Sequence, residues 1–237
     1  MASRESIVKT LNELFDAERA TRRLHDELAD SKEHEILLDV LTEALGAATS
    51  MDEDEEAALR LVRISSLLGE VEGPRAVDAL IDVLASDHPE ARSAAGEQLE
   101  EIAFDRFKEV ARAVERALKR LPVGSPALPE LPYVIAEVPE PGVAKLLAQF
   151  LAHADPDAVA AAIETLVEMG DPAGIRLIEP LLDDKRTVEL AEEGDDETSE
   201  VTLGELAAEA LTLLQDQDSE DAPDPGKGDS GRRGGVA

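Results

Sequence analysis

The chain contains no cysteine and no tryptophan, and aromatic residues fill only 2% of its 237 positions. The lack of cysteine excludes a disulfide framework, a thiolate zinc site and a cysteine nucleophile. The shortage of aromatics means that any core is built from Ala, Leu, Ile and Val, which suits thin helical layers better than a sandwich or barrel. Basic residues are scarce too: 23 Lys and Arg stand against 54 Asp and Glu, a net charge of −31. Such a surface speaks against nucleic acid, because phosphate neutralisation by Lys and Arg supplies most non-specific affinity. It also speaks against anionic membrane surfaces. No apolar run approaches the length of a membrane span, and the opening MASRESIVKT lacks the apolar stretch of a signal peptide. The expectation is a soluble cytoplasmic protein.

What the chain does have is short apolar bursts at helical spacing. In Pro74–Ala103, Val77, Leu80, Ile81 and Leu84 mark one helical face, and Ala91, Ala94, Ala95, Leu99 and Ile102 mark a second after a tight polar turn. One such pair cannot bury both faces alone, so stacked copies are expected. Leu68 and Leu99 are 31 residues apart, as are Ile135 and Leu166, and as are the opening prolines Pro141 and Pro172. The recurrence predicts an all-α fold, an α-solenoid of about five helix pairs.

In chain order, residues 4–29 read as one charged helix with Ile7, Leu11, Leu14, Phe15, Leu24 and Leu28 as apolar positions, interrupted at Glu18 and Thr21. A half-polar first helix suits a cap over residues 1–30, and a protruding helix that dimerises is the alternative. The solenoid is assigned to 31–215. Ser31 is the expected N-cap of a helix bearing Ile36, Leu37, Val40, Leu41 and Leu45, with Gly46 as its stop. Leu59, Leu61, Val62, Ile64, Leu67 and Leu68 mark the next. A third unit begins at Phe104, and its second helix, SPALPELPYVIAEV, should be short or bent at Pro132. Asp155-Pro156 and Asp171-Pro172 carry the same N-cap and first-turn signature. Residues 185–202 predict a small β-hairpin inserted in the last repeat, with an acidic loop as the alternative. From Asp216 to 237 the composition predicts a disordered acidic tail.

The segments DHPEARSAAGEQLEEIA, DPDAVAAAIETLVEMGDP and LGELAAEALTLL resemble the HEAT-repeat family, in particular the short bacterial form also found in phycobilin lyase subunits. Arg92 matches the Arg usual early in the second helix, whereas Val159 and Gly204 stand at the equivalent places. The resemblance implies right-handed stacking of antiparallel helix pairs, with the second helices lining a concave surface. It implies scaffolding or partner binding more often than catalysis.

Chemistry is hard to find. Of the four histidines, His25, His34, His88 and His153, only His34 has an adjacent Glu, and a HEAT-like di-iron hydroxylase needs several such pairs. His88 and His153 flank interhelical turns and are read as facing water. No Ser-His-Asp set, phosphate loop or dinucleotide turn is visible. A base-extruding glycosylase would need a cationic concave groove. The expected concave helices instead present Glu97, Glu101, Glu164 and Glu168. One cationic stripe departs from the general charge: Lys108, Arg112, Arg116 and Lys119, at i, i+4, i+8 and i+11 of one helix. It reads as balance against neighbouring acidic helices or as a dock for an acidic partner or the chain's own tail. These eight residues are the candidate partner-binding set. The reading is a non-enzymatic adaptor or scaffold without cofactor or metal, recognising a protein, basic in character, through the concave face or the hairpin. An accessory subunit of a lyase-type enzyme and a self-assembling structural protein are the alternatives, and the oligomeric state is left open.

Overall fold

The computed structural model describes residues 3–191 and 198–221, and most of that chain is helical. After α1 (Arg4–Ala29) come α2 (His34–Thr49) and α3 (Asp54–Gly69), then α4 (Pro74–Leu84) and α5 (Pro89–Arg120). They are followed by α6 (Ala127–Ala136), α7 (Val143–Leu151), α8 (Pro156–Met169) and α9 (Ala173–Ile178), the last running into a 3-10 turn at Glu179–Leu181. The antiparallel strands β1 (Thr187–Ala191) and β2 (Thr198–Thr202) then lead straight into α10 (Leu203–Asp221).

The helices lie in two rows. α2, α4, the second half of α5, α7 and α9 follow one another in the first. α3, the first half of α5, α6, α8 and α10 follow one another in the second. One apolar layer runs between them from Leu37 to Leu214. Leu68 on α3 and Leu99 on α5 are completely buried, and so are Ile135 on α6 and Leu166 on α8, each pair one 31-residue step apart. Those positions carry the core because each second-row helix turns the same face inward.

Local chemistry explains most boundaries. Asp155 Oδ1 accepts from the Ala158 amide at 2.9 Å, and Pro156 occupies the first turn of α8. Gly170 ends that helix in the left-handed region at φ 62°. Asp171-Pro172 departs from the expected start: Pro172 itself is the N-cap of α9, and Asp171, one residue ahead of it, accepts from the Ala173 amide at 2.8 Å. Pro132 sits inside α6, which is only 10 residues long.

Several expectations are corrected. The cap expected over residues 1–30 is not made: α1 buries no residue and packs lightly against α3, with only Ala20, Thr21, His25 and Ala29 half-buried. Its apolar stripe faces outward. On α2 the inward face is Leu37, Leu38, Leu41, Leu45 and Ala48, so Ile36 and Val40 are exposed, as is Leu59 on α3. A period of 3.6 leaves two adjacent faces open, and packing against α3 and α4 selects between them. Gly46 does not stop α2, which runs on to Thr49, and Ser31 bonds the Glu33 amide ahead of the helix without capping it. The boundary expected at Phe104 falls at Arg106 (φ −134°, ψ 44°), where two helical segments, together α5, meet at a kink. Residues 216–221 continue α10 rather than belonging to a disordered tail, while 222–237 lie outside the described residues. The inserted segment is a hairpin with Val188 buried against α8, its turn at 192–197 lying outside the described residues.

Candidate functional site

Two charged surfaces emerge from this arrangement, one on each row. On the second row, Glu97 and Glu101 stand exposed on α5, and Glu164 and Glu168 stand exposed on α8. α6 lies between those helices and contributes Glu130, Glu137 and Tyr133. The Tyr133 hydroxyl donates to Glu164 Oε2 at 2.6 Å. Its own ionisation is pushed up by burial, by that bond and by the surrounding carboxylates of Glu164, Glu168 and Glu130. Burial, then the charges of Glu137 and Glu97, raise the Glu100 carboxyl above its ordinary range. Carboxylates on α6 and α8 therefore act on Tyr133, and Glu137, just past the end of α6, acts with Glu97 on Glu100 of α5. Arg92 Nε lies 3.9 Å from Glu130, and its guanidinium donates to the Ser86 carbonyl at 3.3 Å.

The first row carries the cationic stripe. Lys108, Arg112, Arg116 and Lys119 all lie exposed on the second half of α5, as the spacing predicts. Arg116 is engaged: Nε and Nη2 reach Asp78 Oδ1 on α4 at 3.1 and 2.9 Å. Arg120 bonds Asp82 one turn further along at 2.5 Å. Between α2 and α4 the same motif recurs, Arg75 meeting Asp39 at 2.6 Å and Glu35 at 3.2 Å. The first-row helices are thus laced by Arg–carboxylate pairs, each exposed and worth about 1 kcal/mol or less. Lys108, Arg112 and Lys119 make no ion pair among the described residues. Lys108, Arg112 and Arg116, together with Arg106, line a groove of about 700 Å³ at the α5 kink, which Asp105, Glu109 and Glu140 also border. Glu109 takes a bond from Arg106 at 3.3 Å, and its other oxygen is buried without a partner among the described residues.

The structure does not bring the two halves of the candidate set together: the four glutamates and the four cations occupy different rows. It also corrects the reading of His153. That ring is half-buried, Nδ1 accepts the Asp155 amide at 3.1 Å, and the remaining nitrogen, which is then the protonated one, donates to the Leu118 carbonyl at 3.2 Å. Around it, Asp155 Oδ2 accepts the Gly124 amide at 2.6 Å and Arg186 donates to the His153 carbonyl at 2.7 Å. Arg186 also chelates Asp184, holding that carboxyl below its ordinary range. This polar node joins α5, α7, α8 and the hairpin. Its partners are about 30 residues apart, so no local motif announces it. His34 is exposed at the start of α2, and the adjacent Glu35 is taken by Arg75. Among the described residues no group of three His, Asp or Glu side chains is placed to hold a metal ion, and no helix is long and apolar enough to cross a membrane.

No family model and no curated protein matches this chain. Among solved structures, two engineered proteins, structural-genomics targets OR329 and OR366, align over 84% of this chain and over 90% and 92% of their own. They are 19% and 18% identical to it, each at a TM-score of 0.35.

Proposed function

We propose that the protein is a non-enzymatic adaptor: an α-solenoid of HEAT-like helix pairs whose second-row helices hold a basic protein partner. The solenoid reading is supported by the equivalent buried positions Leu68, Leu99, Ile135 and Leu166 and by the two-row order of the helices. The observation that carries the functional reading is the acidic row on α5, α6 and α8, where Glu97, Glu101, Glu164 and Glu168 are exposed and weakly neutralised. A net charge of −31 steers basic partners toward the molecule and repels acidic ones at long range. The cationic stripe is the weaker candidate, since Arg116 is occupied by Asp78. The groove beside Lys108 and Arg112 favours a second, short-range contact for an acidic segment.

Affinity purification from the native cell, with wild type and with a Glu97→Lys/Glu101→Lys/Glu164→Lys/Glu168→Lys variant, tests the reading. A stoichiometric basic protein captured by wild type, released by added salt and lost from the variant is the expected result. Equal capture by both would overturn the assignment of this face. Loss of capture from Lys108→Glu/Arg112→Glu instead would move the site to the groove.

A further inference from the structure

The acidic row and the groove leave an exposed apolar stripe on α1 unused. On α1, Ile7, Val8, Leu11, Leu14, Phe15, Leu24 and Leu28 are 44–58% exposed, although a helix of 26 residues has the length, about 39 Å, to bury such a stripe along its whole course. Ile36, Val40 and Leu59, at 55–61% exposure, add to it at the same end of the molecule. An apolar surface of this extent marks an interaction site.

We propose that a second copy of this chain covers it, the two α1 helices pairing antiparallel about a two-fold axis between residues 17 and 18. Three features of the helix favour this occupant. First, four of the apolar positions pair about that axis: Ile7 comes level with Leu28 of the second copy and Leu11 with Leu24. Ala17 and Glu18 straddle the centre, where a small side chain lets the helices approach. Ile7, Leu14 and Leu28 also fall on a seven-residue step, interrupted at Thr21, which is half-buried where α1 meets α3.

Second, the charges fall in blocks that match in this orientation. Glu13, Asp16 and Glu18 form an acidic block, followed directly by the basic block Arg19, Arg22 and Arg23. Antiparallel pairing sets each acidic block level with the basic block of the other copy, and an in-register parallel pair would set like against like. The pairs these residues make within the helix, Lys9 with Glu13 and Arg19 with Asp16, are exposed and able to rearrange.

Third, α1 is where two such acidic molecules can meet. Residues 4–29 hold five basic and six acidic side chains, a net charge of −1 within a chain of −31. Because α1 buries no residue of its own, pairing there costs no rearrangement of the core. The interface is isologous, so the dimer closes and does not propagate.

The full chain in light scattering should show a mass about twice 25.4 kDa at micromolar concentration. Leu11→Glu/Leu24→Glu should weaken self-association by roughly 100-fold or more, with unchanged helicity by circular dichroism. Since the chain has no cysteine, orientation is read by single substitutions: oxidised Ala17→Cys should give a covalent dimer, and Leu28→Cys, about 30 Å from its own equivalent in an antiparallel pair, should not. A monomer at all concentrations would overturn the proposal and assign the stripe to another partner. A dimer unaffected by the double Glu variant, or one cross-linked equally by Leu28→Cys, would overturn it as well.

Discussion

Gly204 shows how a single hydrogen can hold a junction. Its amide donates to the Asp184 carbonyl at 3.0 Å while the preceding Leu203 amide donates to the Arg186 carbonyl at 2.8 Å, so the hairpin feeds directly into α10. A Cβ at this position would sit 2.6 Å from the Leu182 carbonyl oxygen, a backbone atom that has nowhere to go. Gly204→Ala is therefore expected to cost about 1–3 kcal/mol in urea denaturation. Gly46, inside α2 with open space for 4 Å around the place a Cβ would take, should behave oppositely, Gly46→Ala stabilising by about 0.5–1 kcal/mol. The Asp184–Arg186 chelate makes a pH prediction. A carboxyl held below its ordinary range binds protons less in the folded than in the unfolded state, so its stabilisation is full above its unfolded pKa and is lost as pH falls through the folded one. Arg186→Ala should lower the urea midpoint at pH 7 and lessen its fall below about pH 4. A midpoint that falls as steeply as in wild type would place the acid sensitivity elsewhere. The Glu205 carboxyl, held down by bonds from Thr202, adds to the same slope in both proteins.

Elements differ in how far the chain announces them. The pairs α4–α5 and α7–α8 are legible because proline and aspartate mark their starts and their apolar spacing fits one helical face. The break in α5 is legible as the start of a third unit at Phe104, but neither Gly nor Pro in EEIAFDRF marks the non-helical residue itself, Arg106. The face of α1 is legible but its neighbour is not: periodicity gives an apolar stripe without saying what meets it. Likewise the Arg75–Asp39 and Arg116–Asp78 links join residues 36 and 38 apart, away from the 31-residue step of the core, so the sequence points to Arg92 instead. Both classes of candidate residue are visible as charge patterns, yet only their neighbours reveal that Arg116 is occupied and that Glu164 takes the Tyr133 hydroxyl. In the hairpin, Glu189 faces Glu200 directly across the ladder. Glu189→Lys should relieve that repulsion and raise stability by about 0.5 kcal/mol in thermal or urea unfolding, and a loss of stability would show that the pair is screened.

At the scale of the molecule, two rows of helices seal one apolar layer while nearly all of the charge stays outside. Self-repulsion among 31 excess negative charges opposes compactness. Raising sodium chloride from about 0.02 to 0.5 M shortens the Debye length several-fold and should raise the melting temperature by several degrees. A melting temperature that falls instead would mean that the first-row ion pairs outweigh the repulsion. The same excess charge underlies the proposed selectivity for a basic partner, so that binding should weaken over the salt range in which the fold grows firmer. Hydrogen–deuterium exchange of the protein with its captured partner decides where that partner sits. New protection is expected on the first half of α5, on α6 and on α8, around Glu97, Glu101, Glu164 and Glu168. Protection confined to residues 107–120 or to the hairpin would contradict an acidic-row adaptor.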